Sequence, residues 1–362
     1  MFIWLLISIL VGAGSLWADD KISIRVRIQP RVDFGDITRS ADRSTYESEA
    51  DMYLRRTRLE IVGKPIERLS YVLALSGDRW DQKGRSNAVT VGYALVDYRY
   101  SKRLGWRFGV TKLPYSRSAL TSSSRQLLIE RPAVVGLGTS LLRYFSPHFI
   151  LYGKLAEGTL AYNFALTDGL QAGDSDRAFS GKEVVQSGNP GVVGRIEYAP
   201  LKGWVEGRKS DSHLGQGRHL SLGLNGVFQS GIELEDLGKE RRFLLGADLS
   251  FHHKNISLLT EYMYMNRDSG VEIEPSGWYV QGGYFIEGLN IEPAVRFDTV
   301  NKDANLADVR TKTFTGGLNW YIAGHDLKFQ ANIFHQVFDK GAREVTEQGT
   351  KTGLQIQNQM YF

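Results

Sequence analysis

Period-two alternation runs along almost the whole chain, and it restricts the fold more than any other feature. Ile22, Ile24, Val26 and Ile28 alternate with Ser23, Arg25, Arg27 and Gln29, the pattern of a strand with one apolar and one polar face. The rhythm returns in residues 52–63, 69–77, 89–100, 105–111, 148–156, 158–169, 191–199, 219–229, 241–251, 255–265, 277–286, 290–298, 313–322, 326–334 and 353–362. With the first segment that makes sixteen, an even number. A strand of about ten residues rising ~3.3 Å per residue and tilted ~45° crosses roughly 23 Å, close to the apolar band of an outer membrane barrel. Soluble sandwiches use strands of about five or six residues. The pattern therefore predicts an all-β chain, a 16-stranded antiparallel transmembrane β-barrel.

The connections and the composition agree with that reading. Short turns at 64–68, 101–104, 157, 253, 287–288 and 323–324 interleave with longer polar loops at 33–51, 78–88, 113–147, 168–190, 230–239, 266–276, 299–312 and 335–352, the turn-and-loop asymmetry of a bacterial barrel. One connection breaks the rule: 200–218 is long where a short turn belongs, so either a strand boundary is misplaced or the turn carries an insertion. Tyr98, Tyr100, Trp106, Phe108, Tyr262, Tyr264, Trp278, Trp320 and Tyr321 fall towards strand ends, where amphipathic rings favour the headgroup level. The absence of Cys excludes disulfide scaffolds, Cys-based zinc sites, iron–sulfur proteins and thiol enzymes. Residues 2–17 are the only long apolar run. With Ala18 they read as a signal peptide spanning residues 1–18, leaving 19–362 as the barrel domain, although the run has no basic residue before it. A single anchor helix is the alternative, but the run is shorter than the ~20 residues a span needs. The chain closes on Gln359-Met360-Tyr361-Phe362, similar to the terminal aromatic signature of outer membrane barrels, and the expected location is the bacterial outer membrane.

Two stretches carry a family resemblance. Leu54-Arg55-Arg56-Thr57-Arg58-Leu59 resembles the Arg-Arg-x-Arg-Leu strand of the phosphate-selective porin O and P family. Gly109-Val110-Thr111-Lys112-Leu113-Pro114-Tyr115-Ser116, Leu120-Thr121-Ser122-Ser123-Ser124 and Ile129-Glu130-Arg131-Pro132 resemble its Gly-Gln-x-Lys-x-Pro-Phe-Ser, Thr-Ser-Ser and Glu-Arg stretch. Arg27-Ile28-Gln29 is similar to the family's Gly-Arg-x-Gln opening, with Val26 in place of Gly. Val110 stands where the family usually has Gln, and Ser118 near a position often occupied by Glu. The motifs lie in roughly the first 135 residues. The resemblance implies a trimeric 16-stranded barrel whose third external loop folds into the lumen, with phosphate or pyrophosphate passing along a basic track.

Alternation also inventories the lumen. If the apolar face of each strand meets lipid, the opposite face of the first seven strands carries Arg25, Arg27, Arg31, Arg56, Arg58, Arg99, Arg107 and Lys154 against Glu60 and Asp97. Later strands carry Arg195, Arg242, Arg296 and Lys328 against Glu197, Asp248, Glu261, Glu292 and Asp298. The formal net charge of +4 conceals this segregation. The third loop adds Lys112, Arg117, Arg125 and Arg131 with one acid, Glu130. A phosphate oxygen ~4 Å from a cation gains about 1 kcal/mol in water and roughly 4 kcal/mol at an effective dielectric near 20, and Arg suits the role through its planar bidentate fork. The candidate anion pathway is Arg25, Arg27, Arg56, Arg58, Arg107, Lys112, Arg117, Arg125 and Arg131. Each also has a plainer reading as one half of an ion pair, as in Arg58 with Glu60 or Arg296 with Asp298. Glu130 with Arg131 would likewise anchor the loop, and strict alternation turns Arg55 outward.

No catalytic or metal motif emerges. The His residues, including His213, His219, His252 and His253, follow no metal spacing, and His252-His253 falls in a tight turn. There is no G-x-S-x-G elbow. Asn255-Ile256-Ser257 lies in a strand, and the acidic stretches 174–176 and 233–236 read as solvated loop ends. The sequence thus predicts a non-enzymatic channel without cofactor, passing phosphate, pyrophosphate or chloride. Its surroundings would be outer membrane lipid and lipopolysaccharide, and a charge of +4 suggests no nucleic acid. The alternatives are a general diffusion porin with weak charge preference and a structural or adhesive barrel.

Overall fold

The computed structural model describes residues 22–39, 46–83, 85–137, 145–169, 185–201, 206, 209–234, 238–270, 272–342 and 349–362. Residues 1–18, read above as a signal peptide, lie outside them. Sixteen strands form the wall: β1 (Ile22–Arg39), β2 (Tyr46–Ile66), β3 (Leu69–Trp80), β4 (Thr90–Arg99), β5 (Gly105–Lys112), β6 (Phe145–Leu155), β7 (Leu160–Thr167), β8 (Gly191–Tyr198), β9 (Arg218–Leu234), β10 (Gly238–His253), β11 (Ile256–Asp268), β12 (Ser276–Tyr284), β13 (Ile291–Asn301), β14 (Arg310–Ala323), β15 (Leu327–Phe338) and β16 (Thr350–Tyr361). Each of the sixteen segments read from the alternation falls on one of these strands. Two short strands, Val185–Ser187 and Glu272–Ile273, extend neighbouring long connections.

Every strand pairs antiparallel with its neighbours in sequence, and β1 pairs with β16, Arg27 opposite Tyr361 and Gly35 opposite Gly353. The terminal residue takes part, since Phe362 and Val26 exchange both backbone hydrogen bonds. Closure leaves no strand edge, which is the condition for a sheet to sit in hydrocarbon. The two faces are those of a membrane wall: on β9, Leu222, Leu224 and Phe228 are exposed while Ser221, Asn225 and Gln229 are buried. This apolar-out, polar-in arrangement is the reverse of a water-soluble barrel. Outside, Tyr98, Trp106 and Phe149 stack in sequence near the short turns, and Trp278, Phe297 and Phe314 form a second ladder towards the long loops. Tyr321 departs from the expected girdle. Its neighbour Trp320 takes the outward position, so Tyr321 points into the lumen, buried, and donates to Glu292 Oε2 at 2.7 Å.

Candidate functional site: the constricted lumen

The described part of the connection after β5, residues 113–137, lies largely buried inside the barrel. It leaves the wall at Leu113, and Ser116 caps the one-turn helix Arg117–Leu120 by accepting from Ala119 N. Ser122 does the same for the 3-10 turn Ser123–Arg125. Such small hydroxyl residues at turn starts satisfy backbone donors that a buried loop would otherwise strand. One side of the loop is apolar: Leu113, Tyr115, Ala119, Val134, Val135 and Leu137 pack on lumen-facing residues of β6–β12, among them Ile150, Val193, Leu244, Met263 and Tyr279. At its tip Leu127 and Leu128 are buried beside Ala294. Wall glycines make the seats. A Cβ at Gly317 would collide with Leu128 Cδ2, and one at Gly283 would stand 3.0 Å from Leu127 Cδ1.

Polar clamps complete the docking. Arg27 donates to Ser123 Oγ at 3.0 Å, Gln359 to Ser124 O at 3.1 Å, Lys328 to Gln126 O at 3.1 Å and Asn319 to Leu127 O at 2.9 Å. Arg296 reaches Glu130 O at 2.8 Å. Glu130 itself is held by Arg31 and by Arg55, at 2.8 Å from Arg55 Nε. Arg131 donates to loop carbonyls, Ser118 O at 2.9 Å and Thr121 O at 2.8 Å, while Glu130 clamps the loop to the wall. Arg55 corrects a second expectation. The β1–β2 register slips between Gln29, opposite Arg56, and Pro30, opposite Leu54, leaving Arg55 as the extra residue of a bulge. Pro30 cannot donate to the ladder, a frequent cause of such slips. Arg55 and Arg56 therefore both lie inward and buried.

Burial opposes the charge of Glu130, but Arg55 and Arg31 prevail and hold its carboxyl well below the usual carboxylate range. Because the folded value is depressed, the stabilisation is complete above the ordinary carboxylate value near pH 4.3 and is lost as pH falls further, through the folded value. Glu130→Gln should lower the thermal unfolding midpoint at pH 7, at a cost of about 1–3 kcal/mol for a partly screened pair. Variant and wild type should converge only well below pH 4, which a melting series in detergent would read.

The long connection between β8 and β9 folds upward beneath this loop. Arg117, fully buried, donates to Glu206 Oε2 at 2.8 Å and Ser210 O at 3.1 Å. Asp211 N donates to Arg125 O at 3.0 Å, and Asp211 Oδ2 accepts from Leu127 N at 3.3 Å and Gln281 Nε2 at 3.2 Å. The flanking strands end at Tyr198 and begin at Arg218, so the strand boundaries stand and the stretch between them is a long connection, whose described residues Glu206, Ser210 and Asp211 reach the loop.

Open space remains against β1–β8, on the short-turn side of the loop. A cavity of about 450 Å³ is lined by Arg25, Arg27, Arg58, Arg99, Arg107 and Lys112, against Glu60 and Asp97. An adjoining cavity of about 370 Å³ shares Arg99, Arg107 and Lys112 and adds Lys154, Arg195 and Lys209, against Glu197 and Glu206. Each has six cations and two acids. On the long-loop side, a space of about 180 Å³ is balanced, Arg131 and Arg296 facing Glu130 and Asp298. Arg27 and Arg58 are direct cross-strand partners, a like-charge placement that costs stability. It is offset by Asp78, 3.0 Å from Arg58, by Glu60, 3.8 Å from Arg27, and by the Tyr361 ring under Arg27.

Of the nine candidates, Arg25, Arg27, Arg58, Arg107 and Lys112 line the two basic cavities, and Arg131 lines the balanced one. Lys112 also donates to Ala119 O at 2.8 Å and Thr121 O at 3.1 Å, which pins the start of the loop. Arg56, Arg117 and Arg125 line none of the three; Arg56 donates to Gln29 Oε1 at 3.0 Å. Arg99, Lys154 and Arg195 belong to the cavity walls and were visible in the alternation. Lys209 was not, because nothing in its turn announces an inward path.

A closed sixteen-strand barrel with an apolar exterior and a polar, loop-narrowed lumen is the architecture of an outer membrane porin, a channel for diffusion. Residues 24–362 match the family model described as phosphate-selective porin O and P, and the chain belongs to that family. It is accordingly a protein of the bacterial outer membrane. A curated protein of Aquifex aeolicus (strain VF5), described as uncharacterized, is 32% identical over 370 residues, covering 94% of this chain and 87% of its own. Among solved structures, the anion-selective porin from Comamonas acidovorans superposes with a TM-score of 0.65 at 14% identity, covering 94% of this chain and 99% of that one. The outer membrane channel DcaP of Acinetobacter baumannii gives 0.65 at 12% identity, covering 94% and 97%.

Proposed function

We propose that this porin is anion-selective and that phosphate-type anions cross it through the two basic cavities beneath the constriction loop. The observation that carries the reading is the excess of six cations over two acids in each cavity. Staggered partial sites favour entry without trapping the solute. The resemblance to the phosphate-selective family and the fold shared with a porin described as anion-selective support the same reading. We further propose that residues 1–18 direct export and that the barrel works as a homotrimer, which heat-shifted bands on unboiled gels would reveal.

Reversal potentials across planar bilayers in a KCl gradient test the selectivity. A chloride-selective sign is expected, with phosphate and pyrophosphate blocking the chloride current. A cation-selective sign, or none, would instead fit a general diffusion porin. The pH dependence adds a second reading. Burial pulls the Lys209 ammonium down to about 8 even though Glu197 beside it favours the charge. One of six cations in the smaller cavity is therefore lost as pH rises through that value. Anion preference should decline modestly between pH 7 and about pH 9, and stay flat in Lys209→Arg, whose guanidinium does not titrate there.

A further inference from the structure

Four side chains that no metal spacing in the sequence connects come together where the long turn before β9 meets the wall. His219 is the second residue of β9 and His252 the last but one of β10, and the register sets them directly opposite one another. Both point inward and are fully buried, 0% and 1% exposed. The turn brings His213 onto them: its ring stacks on His252 with centroids 3.4 Å apart and planes 13° from parallel, and its centroid lies 6.2 Å from that of His219. The His219 and His252 rings are 5.4 Å apart. Glu206, from the same turn, is hydrogen-bonded to His213 Nε2 through Oε1, and its Oε2 lies 4.0 Å from His219 Nε2.

We propose that Glu206, His213 and His252, with His219 as the fourth donor, form a binding site for a zinc-class divalent transition metal ion that ties the long turn to the barrel wall. One ligand atom from each of Glu206, His213 and His252 lies within 4.8 Å of the others. A tetrahedral zinc ion with Zn–N near 2.1 Å sets its donors about 3.4 Å apart, so the donors must draw together by up to about 1.4 Å to close the site. Three imidazoles and one carboxylate are the donor set of zinc, copper or nickel. Calcium and magnesium are disfavoured because they demand shells of six or more oxygens. Arg117, 2.8 Å from Glu206 Oε2, provides the outer hydrogen bond that orients a ligating carboxylate. Glu206 also lines the 370 Å³ cavity, so a bound dication adds positive charge to the solute path. The site itself does not depend on the channel being anion-selective.

The test uses the full-length folded barrel in detergent, stripped with EDTA and dialysed against Zn(II), with bound metal counted by mass spectrometry. One zinc per chain is expected, along with the strong visible absorption of tetrahedral cobalt when Co(II) is substituted. His213→Ala and His252→Gln should each weaken zinc binding at least tenfold, while His335→Ala, at an exposed histidine near the other end of the barrel, retains it. Calcium in equal concentration should not displace the zinc. Absence of stoichiometric zinc from the wild-type protein overturns the proposal and leaves a dry stack of imidazoles. So does full retention of zinc in both histidine variants. His213 lies in the turn, so its variant keeps every wall residue. Should His252→Gln fail to give the heat-shifted band of a folded barrel, the wild-type stoichiometry, the cobalt spectrum and His213→Ala decide the matter.

Discussion

Single-channel conductance should rise by about twofold or more, with noisier open levels, when Leu127 and Leu128 are both replaced by Asp, because two carboxylates cannot be buried in apolar seats without partners. The two leucines occupy seats formed by Gly283, Ala294 and Gly317, and burying them contributes about 1.5–3 kcal/mol each. Of the hydrogen bonds clamping the tip, the neutral one from Asn319 to Leu127 O adds about 1 kcal/mol and the charge-assisted one from Lys328 to Gln126 O about 1.5–3 kcal/mol. Turning the apolar burial of the leucines into a desolvation cost therefore releases residues 126–129 while leaving the loop's apolar base on β6–β12. Anion preference should fall with the release, since the two introduced carboxylates then face the lumen and offset part of its positive charge. Planar-bilayer recording is the measurement. An unchanged conductance would mean that the tip does not narrow the path.

The alternation made the barrel legible because its cause is local: each strand must show lipid a different face from the one it shows water. That rule carried through for the ladder Arg25, Arg27 and Arg31, and for Arg107 and Lys154. It failed where the period itself breaks. The register slips at Pro30 and leaves Arg55 as the extra residue of a bulge, and that one skipped residue turns an outward arginine into a clamp on Glu130. It was silent on segments without a period. Lys112, Arg117, Arg125 and Arg131 are equally basic in sequence, yet only the folded path of the loop divides them: Lys112 reaches the basic cavities, while Arg117 is spent on the turn below. The histidine cluster was hidden for a related reason. His219 and His252 meet through strand register and His213 through the path of a long connection, and neither is a spacing along the chain.

Loss of solute selectivity is expected from the triple variant Arg25→Gln, Arg99→Gln and Arg107→Gln, which separates cations that face solute from those that shape the channel. Of the six lining the 450 Å³ cavity, Arg27 is bound to Ser123, Arg58 to Asp78 and Lys112 to loop carbonyls. Removing them would disturb the wall or the loop along with the charge. Arg25 and Arg99 are exposed to the lumen, and Arg107, although paired with Asp97 at 2.7 Å, keeps 35% of its side chain exposed against 10% for Arg58. Six cations less two acids give the cavity +4, and the triple variant leaves three cations, two acids and +1. At the water-like value of about 1 kcal/mol per close pair, three lost cations weaken phosphate binding by up to about 3 kcal/mol, on the order of a hundredfold, and screening in the open lumen reduces this. Phosphate block of the chloride current should therefore weaken by roughly tenfold to a hundredfold, and the chloride-to-potassium permeability ratio should approach one. Arg241→Gln, which removes an exposed cation paired with Asp268, is the control and should change neither. Unaltered block in the triple variant would move solute contact to the braced arginines, or out of these cavities altogether.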